Sequence, residues 1–236
     1  MFAMLVLSTA LAVSPPEVSL RTCAFEPSGS RWTGSCGRLF HQQPRMTLAR
    51  AAAITTGVWR DDVTPMEVWS GEMTGEGSHD APLELEIDAG GTGVFRTEYG
   101  WFPVSGYAAS ATMLSFRLDA SHEVPPDQLD RRIVQLADAT LSSPAVWNRA
   151  DNRRCPASAS AWSIYCAVER VEIQVTGGFH HRRPAMELVR RVIEERTAGR
   201  HYHHRLMDYN NDPSTALADV HSVFAEALAR MDRASR

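Results

Sequence analysis

Leu83-Glu84-Leu85-Glu86-Ile87-Asp88-Ala89-Gly90-Gly91 decides the architecture. Apolar and acidic residues alternate with a period of two, so the segment reads as a β-strand with one apolar face and one acidic, solvated face. Asp88 to Gly91 supply a hairpin turn, because glycine takes the positive φ that tight hairpins require. The same texture extends on both sides. Met66 to Met73, Gly93 to Thr97, Trp101 to Tyr107 and Thr112 to Leu118 are short segments broken by glycines, and with Leu83 to Asp88 they give five strands of an antiparallel meander.

Upstream, Ser14-Pro15-Pro16 and the Gly/Ser-rich stretch between Cys23 and Cys36 read as an irregular segment, followed by a short helix from Thr47 to about Ile54. Downstream, Pro125-Pro126-Asp127 starts a helix with Leu129, Ile133, Leu136 and Leu141 at helical spacing, expected to pack on the sheet. Ile164 to Val175 reads as a strand, with a bulge near Glu169-Arg170 to reconcile its two apolar phases. Two helices close the chain, Pro184 to about Thr197 and Pro213 to about Met231, joined by a polar connector. The second carries Leu217, Val220, Phe224, Leu228 and Met231 on one stripe, with Asp212 as its N-cap and Pro213 in first position. The expected fold is α+β. It comprises an antiparallel meander, open or barrel-like, over residues 60–120, a helix over 125–142, a strand over 163–176 and a C-terminal helix pair over 184–232. Residues 13–236 form a single domain in this reading.

Trp69-Ser70-Gly71, the alternation Leu83, Leu85, Ile87, then Gly90-Gly91, Gly93, Pro103-Val104-Ser105 and Leu114-Ser115-Phe116-Arg117-Leu118 give residues 66–119 a partial character of their own. This stretch resembles a small non-catalytic lipocalin-like β-module found outside the cytoplasm ahead of bacterial hydrolase domains. The resemblance implies a β scaffold and an exported setting. It carries over no functional residue, and the chain lacks the hydrolase domain.

Composition narrows the function classes. The 236 residues carry a net charge of -4, with 44% hydrophobic and 22% charged residues, which excludes a disordered tail and a basic nucleic-acid coat. No lysine occurs among the 24 basic residues. Schiff-base chemistry, a Ser-Lys hydrolase and a lysine-bearing phosphate loop are therefore excluded, since Arg cannot supply a side-chain amine. Residues 2–13 form an apolar run ending in Ala10-Leu11-Ala12, so 1–12 read as a signal peptide, too short to remain as a transmembrane span. Cys23, Cys36, Cys155 and Cys166 allow three pairings. Closure entropy favours the two short loops, and disulfides fit a periplasmic or secreted protein.

Charge is concentrated late. Residues 141–236 hold 14 Arg against 11 acids, and the window 177–206 holds seven Arg, three Glu and five His. Its front edge, Gly177-Gly178-Phe179-His180-His181-Arg182-Arg183-Pro184, leads into a helix N-terminus, where unpaired N–H groups attract anions. His180, His181, Arg182 and Arg183, with Arg149 from the cluster Trp147 to Arg154, are the candidate residues for a small anion or an envelope protein partner. Its rear edge offers His201, His203, His204, Asp208 and Asp212 as an alternative zinc or copper set for a metal-dependent hydrolase-like protein. A helix of about 14 residues between the two edges spans roughly 20 Å, so the clusters are expected not to share a site. No hydrolase, zincin or dinucleotide motif is present, no catalytic residue is assigned, and no cofactor is required.

Overall fold

A computed structural model of the chain describes residues 20–37, 44–51, 67–74, 81–119 and 124–234; the signal-like run 1–12 lies outside the described residues. The described residues of the first half form eight antiparallel strands: β1 (Leu20–Ser28), β2 (Arg31–Ser35), β3 (Arg45–Ala51), β4 (Glu67–Thr74), β5 (Ala81–Ile87), β6 (Gly93–Thr97), β7 (Gly100–Ala109) and β8 (Leu114–Asp119). They pair in chain order, and β1 returns to β8 to close a barrel. An eight-stranded barrel has an interior that side chains can fill, and here they do. Phe25, Met46, Leu48, Leu85, Phe95, Leu114 and Phe116 are buried inside, with the Phe95 and Phe116 rings 5.6 Å apart. Gly71 of β4 permits the close coiling of β3 against β4, since a Cβ there would stand 1.7 Å from the Thr47 carbonyl oxygen.

The alternating segments are the strands β4 to β8, and the side chain of Asp88 builds the expected hairpin by accepting from the N–H groups of Gly90 and Thr92. Two expectations fail upstream. The segment around the first cysteines is the ordered hairpin β1–β2, turned at Gly29 with φ +64° and joined by the Cys23–Cys36 disulfide. Thr47 to Ala51 belongs to β3 rather than a helix, while 52–54 lie outside the described residues. Met46 and Leu48 point into the barrel, so pairing with β2 and β4 overrides the helical propensity of an Ala-rich stretch.

The described residues of the second half form five helices: α1 (Gln128–Thr140), α2 (Ile164–Thr176), α3 (Pro184–Arg196), α4 (Arg205–Asn211) and α5 (Leu217–Ala234). Ile164 to Thr176 is a helix, not a strand. The apparent phase slip is helical period: Ile164, Val168 and Val171 line one buried stripe, Ser163 caps the Cys166 N–H, and Gly177 ends the helix at φ +83°. The Cys155–Cys166 disulfide ties the preceding loop to its first turn. Asp127 caps α1 as expected, in a reciprocal box with Asp130. Yet α1 packs on helices rather than on the sheet. Ile133, Val134 and Ala137 join Val168, Val189, Val220 and Phe224 in a helical core that contains no strand residue. The connector after α3 includes α4, and α5 starts at Leu217 instead of Pro213. Asp212 is not its cap but closes a turn by accepting from the Ser214 N–H. The stripe Val220, Phe224 and Met231 is buried as the spacing predicts.

The acidic face of β5 is dry. Glu84 and Glu86 are 3% and 1% exposed, because Arg96 stands opposite Glu84 across the β5–β6 pair and forms ion pairs with both carboxylates. Nearby, the Trp101 indole N–H donates to Nδ1 of His180 at 2.7 Å, and the Arg96 and Arg183 guanidinium carbons lie 5.1 and 5.2 Å from the Trp101 ring centroid. Barrel and helices thus meet across a buried polar seam.

Candidate functional site

The seam accounts for two of the residues that the sequence offers for anion binding, Arg183 and His180. Arg183 is 1% exposed, and its Nε donates to Asp130 at 2.8 Å. The same carboxylate accepts from the Ala185 N–H at 3.2 Å. An anion does sit at the α3 N-terminus, as the helix end requires, but the chain supplies it as Asp130. His180 is turned inward on Trp101. Burial, followed by the neighbouring Arg96, pushes its imidazole down to about 3, so it stays neutral with its proton on Nε2. Arg149 lies elsewhere, donating to the carbonyls of Asp212, Pro213 and Thr215. Its neighbours are structural as well. The Trp147 indole donates to Asn210, and Asn211 exchanges hydrogen bonds with the Asp151 backbone, so this cluster clasps α4.

His181 and Arg182 face a cavity of about 310 Å³. Tyr165 of α2, Arg190 of α3 and Arg153 line it from one side. Tyr202, His203, His204, Arg205, Leu206 and Met207 line it from the other. The two edges of the basic window therefore meet, contrary to the expected separation. The helix is as long as predicted, but the chain reverses after it. Arg200 N–H bonds the Thr197 carbonyl, Gly199 takes φ +90°, and the connector returns beside α3, with Arg205 paired to Glu194 at 2.7 Å.

Among the described residues no carboxylate lines the cavity. Four arginines and three histidines do, together with two tyrosines. Glu187, just behind the wall, pairs with both Arg182 and Arg190 and fixes their direction. Arg190 also donates to the His181 carbonyl at 2.9 Å. Burial, reinforced by Arg190 and Arg182, pushes the His181 imidazole down to about 4, so His181 is neutral near pH 7 while the four guanidinium groups supply permanent positive charge. Burial and the adjacent Glu169 push the Tyr165 phenol up to about 12, which keeps it a hydroxyl donor. Such a lining can bind an oxyanion bidentately and exclude cations.

The alternative metal residues do not assemble. His201 is exposed and outside the cavity lining, whereas His203 and His204 belong to it. Asp208 accepts from the His204 backbone N–H at 2.9 Å, and Asp212 accepts from Arg200, Tyr202 and Ser214. Among the described residues no group of three His, Cys, Asp or Glu could hold a metal ion.

Arg153, Tyr165, Arg190, Tyr202 and Arg205 are cavity residues that the sequence reading does not single out. The i,i+3 pair Glu187 and Arg190 was the available signal, but it marks only a stabilised helix face. No family model, curated protein or solved structure matches the chain.

Proposed function

We propose that this protein binds a small anion in the cavity between α3 and the returning connector. The carrying observation is the lining itself: Arg153, Arg182, Arg190 and Arg205 surround about 310 Å³ with no carboxylate among the described lining residues. Guanidinium groups match the flat, multiply accepting geometry of phosphate, sulfate and carboxylate. The role is that of a binding protein, exported to the periplasm or secreted. Disulfides in both halves, Cys23–Cys36 and Cys155–Cys166, support an oxidising compartment, and no helix among the described residues is long and apolar enough to cross a membrane.

Arg182 and Arg205 are the residues to remove. Their side chains are 34% and 44% exposed in ion pairs with Glu187 and Glu194, so their loss costs little stability. Titration of the purified protein with inorganic phosphate and sulfate against chloride at equal ionic strength is expected to raise the melting temperature, equivalent to about 2.7 kcal/mol at a hundredfold excess over Kd. The double variant Arg182→Ala, Arg205→Ala is expected to weaken binding at least about tenfold, each lost charged hydrogen bond contributing roughly 1.5–3 kcal/mol. An unchanged response in the double variant, or none in the wild type, disposes of the site.

A further inference from the structure

We propose that the bound anion is the head group of a small amphiphile whose apolar part occupies a second cavity across His181. This rests on the anion-binding reading of the first cavity. The second cavity measures about 220 Å³, and His181 lines both. Its walls include Pro82 and Leu83 of β5 and the Phe179 ring. Three charged residues are in its lining: Glu84 and Arg96 pair at 2.8 Å, Arg96 pairs with Glu86 as well, and Glu98 gives its backbone carbonyl to the Arg182 Nε. His180, also in the lining, accepts the Trp101 N–H. This chamber therefore suits an uncharged, apolar group, in contrast to the guanidinium-lined chamber beside it.

Arg182 couples the two: it lines the cationic cavity, and its Nε donates to the backbone carbonyl of Glu98 on the rim of the apolar one. Small-molecule sites commonly enclose roughly 300–1,000 Å³. The apolar cavity alone falls below that range at about 220 Å³, and the cationic one sits at its lower edge at about 310 Å³. A ligand bridging His181 uses both. The occupant is a soluble acid, phosphate, sulfate or carboxylate, with one short alkyl or aryl substituent. Two acyl chains of a membrane lipid exceed the space.

Calorimetric titration of the full chain with inorganic phosphate and with methyl, butyl and hexyl phosphate tests this. Affinity is expected to rise by about two- to fourfold per added methylene until the chamber is filled, and then to level off. Phe179→Ala should flatten that series while leaving inorganic phosphate within about twofold. Should Phe179→Ala fail to fold because the ring also packs on Tyr165, Pro82→Asn, at an exposed strand position, carries the same expectation. Binding of inorganic phosphate with no gain along the series overturns the amphiphile and leaves the anion site standing. Absence of binding by every member overturns both. Co-sedimentation with vesicles of equimolar anionic and zwitterionic phospholipid, reversed by inorganic phosphate, overturns the soluble-ligand assignment in favour of a lipid surface.

Discussion

Replacing Asp130 by alanine is expected to destabilise the protein by about 3–5 kcal/mol, seen as a lowered urea midpoint with little change in slope. One carboxylate serves three partners: the Arg183 Nε at 2.8 Å, the Ala185 N–H at 3.2 Å and the Asp127 N–H at 3.0 Å. Asp130 and Arg183 are each 1% exposed. Deleting the acid leaves a guanidinium buried without its counter-charge, opens the α1 capping box and leaves the first turn of α3 short of an acceptor. Most of the loss is the stranded charge rather than the net worth of the pair. Arg183→Met in the alanine background should therefore recover some of the deficit, because an apolar side chain of similar length tolerates burial. A cost below about 1 kcal/mol for Asp130→Ala, or full additivity of the two substitutions, would show that the seam is solvated and not a closed charge network.

The parts of this architecture that were legible in the sequence are those whose cause is local. Alternation at Leu83, Leu85 and Ile87 specifies a strand, Asp88 builds its own turn, Asp127 caps its own helix, and the two cysteine pairs close loops of 13 and 11 residues. What failed depends on partners far along the chain. Glu84 and Glu86 look solvated until the seam residues around His180 cover them. Arg183 looks like a ligand-binding cation until Asp130, 53 residues earlier, is brought against it. Ile164 to Thr176 is rich in β-branched residues, and its helical stripe competes with a strand-like composition; burial against α1 and α4 decides the outcome. The candidate site was half legible. His181, Arg182, His203 and His204 were singled out, but as two sites, because the reversal at Gly199 gives no periodic signal. Tyr165 was hidden by the strand assignment of its segment.

Glu172→Gln is expected to abolish a fall in stability that the wild type shows between pH 6.5 and 8. Glu172 is 1% exposed; its Oε1 accepts the His180 N–H at 2.8 Å, while Oε2 is buried with no hydrogen-bond partner among the described residues. Burial pushes the carboxyl up to about 8 from an ordinary 4.5. Arg183, the His180 amide and Arg96 oppose the rise, and Asp130 adds to it. Between these two values the folded protein keeps a proton that the unfolded chain has released, so stability decreases as pH rises through the window. Below pH 6.5 other groups overlap. Asp130, raised by burial to about 6, also loses stability as pH rises towards that value, whereas His180 and His181, lowered to about 3 and about 4 from 6.5, gain it. Above pH 6.5 the Asp130 transition is nearly over, but the two histidines, half protonated at 6.5 in the unfolded chain, still add about 0.4 kcal/mol each by pH 8. Glu172 is therefore isolated as the difference between wild type and variant. One pH unit corresponds to about 1.4 kcal/mol per proton, so from pH 6.5 to 8 the wild type should lose about 1.6 kcal/mol relative to the glutamine variant, and about 1 kcal/mol in absolute terms. Glutamine preserves the acceptor for the His180 N–H and the shape of the protonated acid, and its urea-derived stability should rise by about 0.6 kcal/mol over the same range as the unfolded-state histidines deprotonate. Parallel profiles for the two proteins would mean that Glu172 ionises freely, and that the seam admits water at the point where the His180 loop meets α2.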